Sequence, residues 1–203
     1  MSTSLLYHAW GVRGYWHRRT DFREGSIVFT VEPQPEQLRC GNCGARQVMR
    51  QGKITRRFRS VPIGSRPAHL QLDIPRLWCT ACGKTRQINL SFADARRSYT
   101  HAFERYALEL SQHMTIDAVA KHLGVSWDVI KNIQKRHLQR RFKRIRLKHI
   151  REIAIDEISI GKGHRYLTVV LDLDSGAVVF IGNGKGVEAL TPVSYTHLTL
   201  PTN

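Results

Sequence analysis

The sequence is short of acidic residues, and this shortage limits the class of partner. Its 203 residues contain 16 Asp and Glu against 32 Lys and Arg, which gives a formal net charge of +16. No acid at all occurs between Lys131 and Arg151, a stretch that contains ten lysines and arginines. An excess of this size indicates a polyanionic partner, most simply nucleic acid, with a membrane surface as the rival.

Long apolar runs are also missing. No stretch is long enough to span a bilayer, and the first apolar segment is too short and too closely followed by charges for a signal peptide. We therefore expect the chain to stay in the cytoplasm and to have no membrane partner. The hydrophobic share of 41% is enough for globular cores and argues against disorder throughout.

Cysteine is scarce, and all four copies lie in two Cys-x-x-Cys-Gly motifs, at Cys40, Cys43, Cys79 and Cys82. Thiols stay reduced in the cytoplasm, so a metal site is preferred to two disulfides. Two such knuckles complete a tetrahedral set of four thiolates, and the strand-like segments between them fit a zinc ribbon. A closed site predicts structural Zn²⁺. The alternative is four unrelated buried or free cysteines.

Residues 92–150 show helical periodicity in three segments. The first two carry one apolar stripe each, formed by Phe103, Tyr106, Ala107 and Leu110 and by Ile116, Val119, Ala120 and Leu123. After Gly124, Ser126 is a good N-cap, and Trp127, Ile130 and Ile133 predict the apolar stripe of a third helix. The turn of about three residues before it is the spacing of a helix-turn-helix.

The opposite face of the third helix carries residue types that read a DNA groove. Lys and Arg pair with guanine acceptors, Asn can bond adenine, and the basic run that follows fits phosphate contact. The predicted DNA-binding residues are Ser126, Lys131, Asn132, Lys135, Arg136, Arg140 and Arg141. The alternative is ordinary core packing of three short helices with a solvated charged face.

The composition changes sharply after Arg151. Three β-branched runs separated by turns, at residues 152–160, 165–173 and 177–181, predict a three-stranded meander. Asp156 lies in the first run, and both faces of that run look buried. A buried carboxylate needs a cation or strong hydrogen bonds, so Asp156 is either a metal-binding acid or a solvated residue of an edge strand. The residues alone leave both interpretations open.

Taken in order, these motifs resemble the N-terminal half of bacterial insertion-sequence transposases of the ISL3 (ISL-three) family. The resemblance covers residues 4–192, and its most specific part is the last motif, IAIDEISIGKGHRYLTVVLDLDSGAVV. It implies a ribbon and a helix-turn-helix that bind the element's terminal inverted repeats in double-stranded DNA, followed by an RNase H-like DDE domain. Asp156 matches the first of three acids that hold two Mg²⁺ ions. The resemblance leaves room for a homodimer of the full-length protein.

The expected fold class is α+β and multidomain. We expect a strand-containing arm (1–36), a zinc ribbon (37–91), a helix-turn-helix domain (92–150) and the start of an RNase H-like α/β domain (151–193). The family's second and third acids have no counterpart before Asn203, and residues 194–203 look like a non-native tail. We therefore expect a catalytically incomplete chain that binds DNA without strand transfer. Through its DNA binding, we expect the chain to associate with the nucleoid.

Two rival classes remain open. One is a zinc-ribbon, helix-turn-helix transcription regulator whose C-terminal strands form a small dimerisation or ligand domain. The other is an RNA-binding ribbon protein that stacks bases on the N-terminal aromatic residues, although aromatic residues this dense more often form core.

Overall fold

The computed structural model describes residues 4–141 and 150–194 of an α+β chain. Two compact units divide the chain, residues 1–137 and residues 138–203, and each is described by itself. No helix among the described residues is long and apolar enough to cross a membrane. Of the predicted tail, only Ser194 belongs to the described residues.

The strands of the first unit form one five-stranded sheet. The first elements of this unit are α1 (Leu5–Trp10), β1 (Tyr15–Arg23), β2 (Ser26–Pro33), a short 3-10 helix (Pro35–Gln37), β3 (Val48–Ile63), β4 (Arg66–Cys79) and β5 (Thr85–Gln87). The strand order is β1-β2-β4-β3, and β5 pairs with the end of β4. All pairs are antiparallel except β2 with β4. The segment that the sequence separates as an arm thus shares its sheet with the strands between the knuckles.

The core of this sheet forms on one face of β4. Ala68, Leu70, Leu72 and Ile74 alternate with half-buried polar residues, as a strand with one covered face requires. N-terminal aromatic residues complete this core, with Trp10 packed edge-on against Phe29 and Tyr15 against Phe92. The expectation that these aromatic residues form core is therefore right for Trp10 and Tyr15, whereas Trp16 and Phe22 are exposed.

Three helices complete the first unit: α2 (His101–Leu110), α3 (Ile116–Leu123) and α4 (Trp127–Arg141), whose last residues belong to the second unit. Local signals set their ends. The side chains of Thr100 and Thr115 accept hydrogen bonds from the backbone amides of the first turns of α2 and α3. Gly124 ends α3 with a φ of 61°, a left-handed conformation that favours glycine. The predicted helix-turn-helix is confirmed in its three helices and its three-residue turn.

The second unit contains a three-stranded antiparallel sheet, as predicted. Its elements are β6 (Ile153–Gly161), β7 (Arg165–Asp172), β8 (Val178–Asn183) and α5 (Val187–Ser194). The order is β6-β7-β8, so β7 is central and β6 is an edge strand. The carbonyl oxygen of Ala189 in α5 lies close to Gly182, where an added Cβ would approach it to 2.4 Å.

Candidate nucleic-acid interface and metal centre

Two matching knuckles bring the four cysteines together. In each knuckle the glycine after the second cysteine donates its N–H to the carbonyl oxygen of the first, at 2.9 Å for both Gly44 with Cys40 and Gly83 with Cys79. Both glycines have a positive φ, 76° and 65°, so the tight turn depends on a residue without Cβ. The result is one cluster in which all four Sγ atoms lie within 4.8 Å of one another.

The cluster fits a tetrahedral zinc ion. Cys40 Sγ lies 3.7 Å from Cys82 Sγ, and Cys43 Sγ lies 3.6 Å from Cys79 Sγ. Zinc–sulfur bonds of about 2.3 Å imply sulfur–sulfur edges of about 3.8 Å, close to both distances. Hydrogen bonds from the backbone N–H groups of Cys43 and Asn42 lower the pKa of the Cys40 thiol to about 6, whereas the three surrounding thiols and burial raise the pKa of Cys43 to about 11. The cluster thus favours a thiolate at Cys40. Within the described ranges, no other set of three or more side chains offers such a site.

The first knuckle also packs directly on β5. A Cβ at Gly41 would lie 2.1 Å from the carbonyl oxygen of Gln87, which is backbone and cannot move aside. Asn89 donates from Nδ2 to the carbonyl oxygen of Gly41 at 3.3 Å. The metal site therefore fixes the position of the chain segment that follows the second knuckle.

Arg59 joins the sheet to the helix-turn-helix. Its backbone N–H donates to the carbonyl oxygen of Ser98, and its own carbonyl oxygen accepts from Thr100, so β3 binds the linker that enters α2. Its guanidinium donates at 2.7 Å to the carbonyl oxygen of Leu123, the last residue of α3. Helix C-termini leave such carbonyl groups without helical partners. Sequence reasoning missed this role, because the partner lies 64 residues further along the chain.

Six of the seven predicted DNA-binding side chains lie outside the core. These are Ser126, Lys131, Asn132, Lys135, Arg140 and Arg141. Lys131, Asn132 and Lys135 lie on one face of α4, opposite the fully buried Ile130 and Ile133. The predicted basic run continues into residues 142–149, which lie outside the described part of the chain.

Arg136 is placed differently from the other six. Its side chain is only 18% exposed and lies 3.2 Å from both Asp94 Oδ2 and Glu104 Oε2. It also donates to the hydroxyl of Tyr99. In this arrangement Arg136 ties α4 to the linker and to α2, and its guanidinium is held away from the exposed face.

The predicted apolar stripe of the third helix differs from the structure at Trp127. We expected it beside Ile130 and Ile133, but its side chain is 45% exposed, whereas both isoleucines are fully buried. Lys131 Nζ lies 4.7 Å from the centre of its ring. Each step of three residues falls about 60° short of a full helical turn, so the outermost member of such a stripe rotates out of the core.

Strand β6, which contains Asp156, is less buried than the sequence predicted. The strand lies at the sheet edge, and Asp156 is exposed together with its neighbours Ile155 and Ile158, which are 49% and 48% exposed. The expectation that both faces are buried is wrong for this structure. The carboxylate accepts a hydrogen bond from the backbone N–H of Glu157 at 2.8 Å.

Family models match three successive parts of the chain. Residues 36–82 match a zinc-finger of transposase IS204/IS1001/IS1096/IS1165, residues 88–138 match the helix-turn-helix domain of transposase family ISL3, and residues 153–198 match a transposase model of the ISL3 DDE type. No solved structure matches.

Curated relatives agree with these models. The transposase for insertion sequence element IS1001 of Bordetella parapertussis is 28% identical over 191 residues, which cover 93% of this chain and 47% of the relative. The transposase for IS1557 of two Mycobacterium tuberculosis strains is 33% identical over 161 residues, which cover 78% of this chain and 36% of the relative. The chain thus spans half or less of the length of these relatives.

Proposed function

We propose that this chain, which belongs to the ISL3 family of transposases, binds double-stranded DNA and recognises the terminal inverted repeats of its insertion sequence. The observation that carries the proposal is the exposed face of α4. Lys131, Asn132 and Lys135 project from a helix whose other face is fixed in the core. In a helix-turn-helix the second helix of the motif enters the major groove with its N-terminal part against base edges.

The residues on this face divide by role. Lys131, Asn132 and Lys135 lie in the first three turns of α4, where base edges are read, and Asn can bond adenine bidentately. Arg140 and Arg141 lie at the end of the helix, and we assign them to phosphate contact. Trp127 adds an exposed aromatic surface at the first helical position. Arg136 keeps the helix in place through its bonds to Asp94 and Glu104.

The metal centre has a structural role in this proposal. Four thiolates around one Zn²⁺ leave no open coordination position, so the ion stabilises the fold and takes no part in chemistry. Its knuckles hold β5 and the end of β4, and β3 carries Arg59 to the helix-turn-helix. Zinc therefore supports the position of the recognition helix through the shared sheet.

The second unit we assign to the opening of an RNase H-like catalytic domain, with Asp156 as its first metal-binding acid. A carboxylate oxygen is a ligand that Mg²⁺ prefers. Asp156 belongs to no set of three potential ligands within residues 4–141 and 150–194, so these residues do not fit a complete magnesium site. DNA cleavage and strand transfer by the whole protein are proposed from the family alone.

Selection from a random duplex pool tests the proposal. The full chain is incubated with the pool at two salt concentrations, and bound DNA is sequenced. We expect an enriched motif that matches the ends of the parent element. Lys135→Ala should weaken binding to that motif by about 1–3 kcal/mol and relax the preference at one position.

Lys162→Ala is the matched control, because it removes one exposed lysine from the turn between β6 and β7. Its affinity and sequence preference should equal those of the wild type. A wild-type chain that binds no duplex at low salt, or that enriches no motif, would overturn the proposed recognition of repeats.

A further inference from the structure

A cleft lined by arginines lies beside the first cysteine knuckle. It has a volume of about 460 Å³ and is bounded by strand β5, which follows the second knuckle, and by linker residues 93–96. We call it the arginine cleft, because its lining residues include Arg56, Arg76, Arg86 and Arg96. Asp94 is the one acid among the described residues that line it.

The positive charge of the arginine cleft is not balanced locally. Arg76, Arg86 and Arg96 are exposed, and none of them pairs with a carboxylate within the described residues. The carboxylate of Asp94 is already engaged, with Arg136 at 3.2 Å and His101 at 2.9 Å. Like charges that share a cleft repel one another, and an anion removes that cost.

Two arginines on strand β1 of the same unit pair with carboxylates. On β1, Arg18 lies 2.6 Å from Glu32, and Arg19 lies 3.0 Å from Asp21. Arg56, the inner member of the cleft, donates at 2.5 Å to the carbonyl oxygen of Arg97 and is thereby held in place. The outer arginines of the cleft differ from those of β1, because three of them share one concave surface without a carboxylate partner among the described residues.

Backbone contacts position both sides of the cleft. Gly41 and Asn89 fix β5 and the residues after it against the metal-bearing knuckle. On the opposite side, Arg96 has a φ of 64°, and the N–H of Arg97 donates to the carbonyl oxygen of Asp94 at 3.2 Å, which closes a turn. A non-glycine residue in this backbone region is uncommon and persists only where its surroundings hold it.

We propose that the arginine cleft binds phosphates of the same DNA duplex that α4 reads. Asp94 joins the cleft to α4, because it lines the cleft and also pairs with Arg136 on the side of the helix that faces the linker. Guanidinium groups match phosphate oxygens in geometry and charge, and the side chains of Thr85, Gln87 and Asn89 add neutral hydrogen-bonding groups. The inference rests on the proposed DNA binding and adds a second, sequence-independent contact to it.

The salt dependence of binding tests this second contact. The full chain and its variant R76Q/R86Q/R96Q are titrated by fluorescence anisotropy against a duplex from the selected pool, over a range of salt concentrations. Removal of one phosphate contact makes the slope of log K against log salt shallower by about 0.9, so the slope of the variant should be shallower by about 3. The enriched motif should remain that of the wild type, because every base contact is kept.

Two matched variants separate site from net charge. R18Q/R19Q/R23Q removes the same number of positive charges from β1. It should change the slope by less than the value of about 0.9 expected for one phosphate contact. R76K/R86K/R96K keeps the charge and should retain most of the wild-type slope. Equal slope changes in the two glutamine variants would overturn the arginine cleft, whereas absence of duplex binding by the wild type would overturn the proposed function instead.

Folding of the variants is checked by zinc content and circular dichroism. If the triple variant loses zinc, R86Q alone takes its place, since Arg86 is exposed on the short strand β5. The expected change of slope is then about 0.9, and an unchanged slope would overturn the site.

Discussion

The two units of this chain bury their apolar residues to very different extents. In the first unit, Ile130 and Ile133 of α4 are fully buried, and so are Phe58 and Leu70 of the sheet. In the second unit, four isoleucines are between 47% and 56% exposed, namely Ile155, Ile158, Ile160 and Ile181. Similar apolar residues thus stabilise one unit and leave the other with an open apolar surface. Strand pattern predicts which residues lie on one face, and only the neighbouring elements decide whether that face is covered.

The largest difference between the units should appear when a metal ligand is removed. Cys40→Ser removes one of four thiolates, and because metal binding is part of the folding free energy, we expect loss of stoichiometric zinc and unfolding of the ribbon. The cost should exceed that of an ordinary core substitution, at about 5 kcal/mol or more. Zinc analysis and a thermal melt measure both effects. Retention of one zinc per chain after this change would contradict the four-thiolate site.

An identical substitution in each unit tests the comparison most sharply. Ile130→Ala removes a fully buried side chain and should destabilise the first unit by about 2–5 kcal/mol. Ile158→Ala removes a side chain that is 48% exposed and should cost less than about 1 kcal/mol. Urea unfolding of the two variants measures the difference. Equal costs would show that the second unit is covered in solution.

A glycine pair gives a smaller contrast. At Gly41 an added Cβ would lie 2.1 Å from a backbone oxygen, so Gly41→Ala should destabilise the first unit by about 1–3 kcal/mol through a forced backbone shift. At Gly161 an added Cβ meets nothing within 4 Å, and Gly161→Ala should be close to neutral. The shift of the urea midpoint decides. A neutral Gly41→Ala would show that the first knuckle is not tightly packed on β5.

A pH dependence of stability should also belong to the first unit. Burial, with the Arg59 and Arg57 guanidinium groups, lowers the pKa of His69 from 6.5 to about 4. His69 therefore becomes protonated below pH 6.5 in the unfolded chain, whereas in the folded chain it becomes protonated only near pH 4. Stability is complete above pH 6.5 and falls between these values.

His69→Gln provides the comparison for this pH effect. The urea midpoint of the variant should vary less than that of the wild type between pH 6.5 and 4. Equal losses of stability in the two proteins would assign the pH dependence to other groups.

Much of the first unit follows from short-range signals in the sequence. The paired cysteine motifs predict the metal cluster, and the threonine caps with Gly124 mark the helix ends. These signals act within a few residues, so they can be recognised in the sequence without knowledge of the fold. The parallel pairing of β2 with β4 is not predictable in this way, because no local pattern specifies a strand partner about 40 residues away.

The roles of single side chains are harder to predict than the elements that carry them. Arg136 has the residue type of a base-reading side chain, yet its partners Asp94 and Glu104 turn it inward. Trp127 has the type of a core residue, yet it lies at the edge of the helical stripe and is exposed. Both outcomes depend on the rotation of α4 about its axis, which tertiary packing sets and residue spacing only approximates.

Footprinting of the full chain on a selected duplex tests the central claim most directly. Dimethyl sulfate reports on guanine N7 in the major groove, and hydroxyl radicals report on the sugar-phosphate backbone. We predict protection of major-groove guanines within the enriched motif by α4, with protected backbone beside it. Uniform reactivity of bases and backbone at saturating protein would contradict the claim that this unit reads DNA.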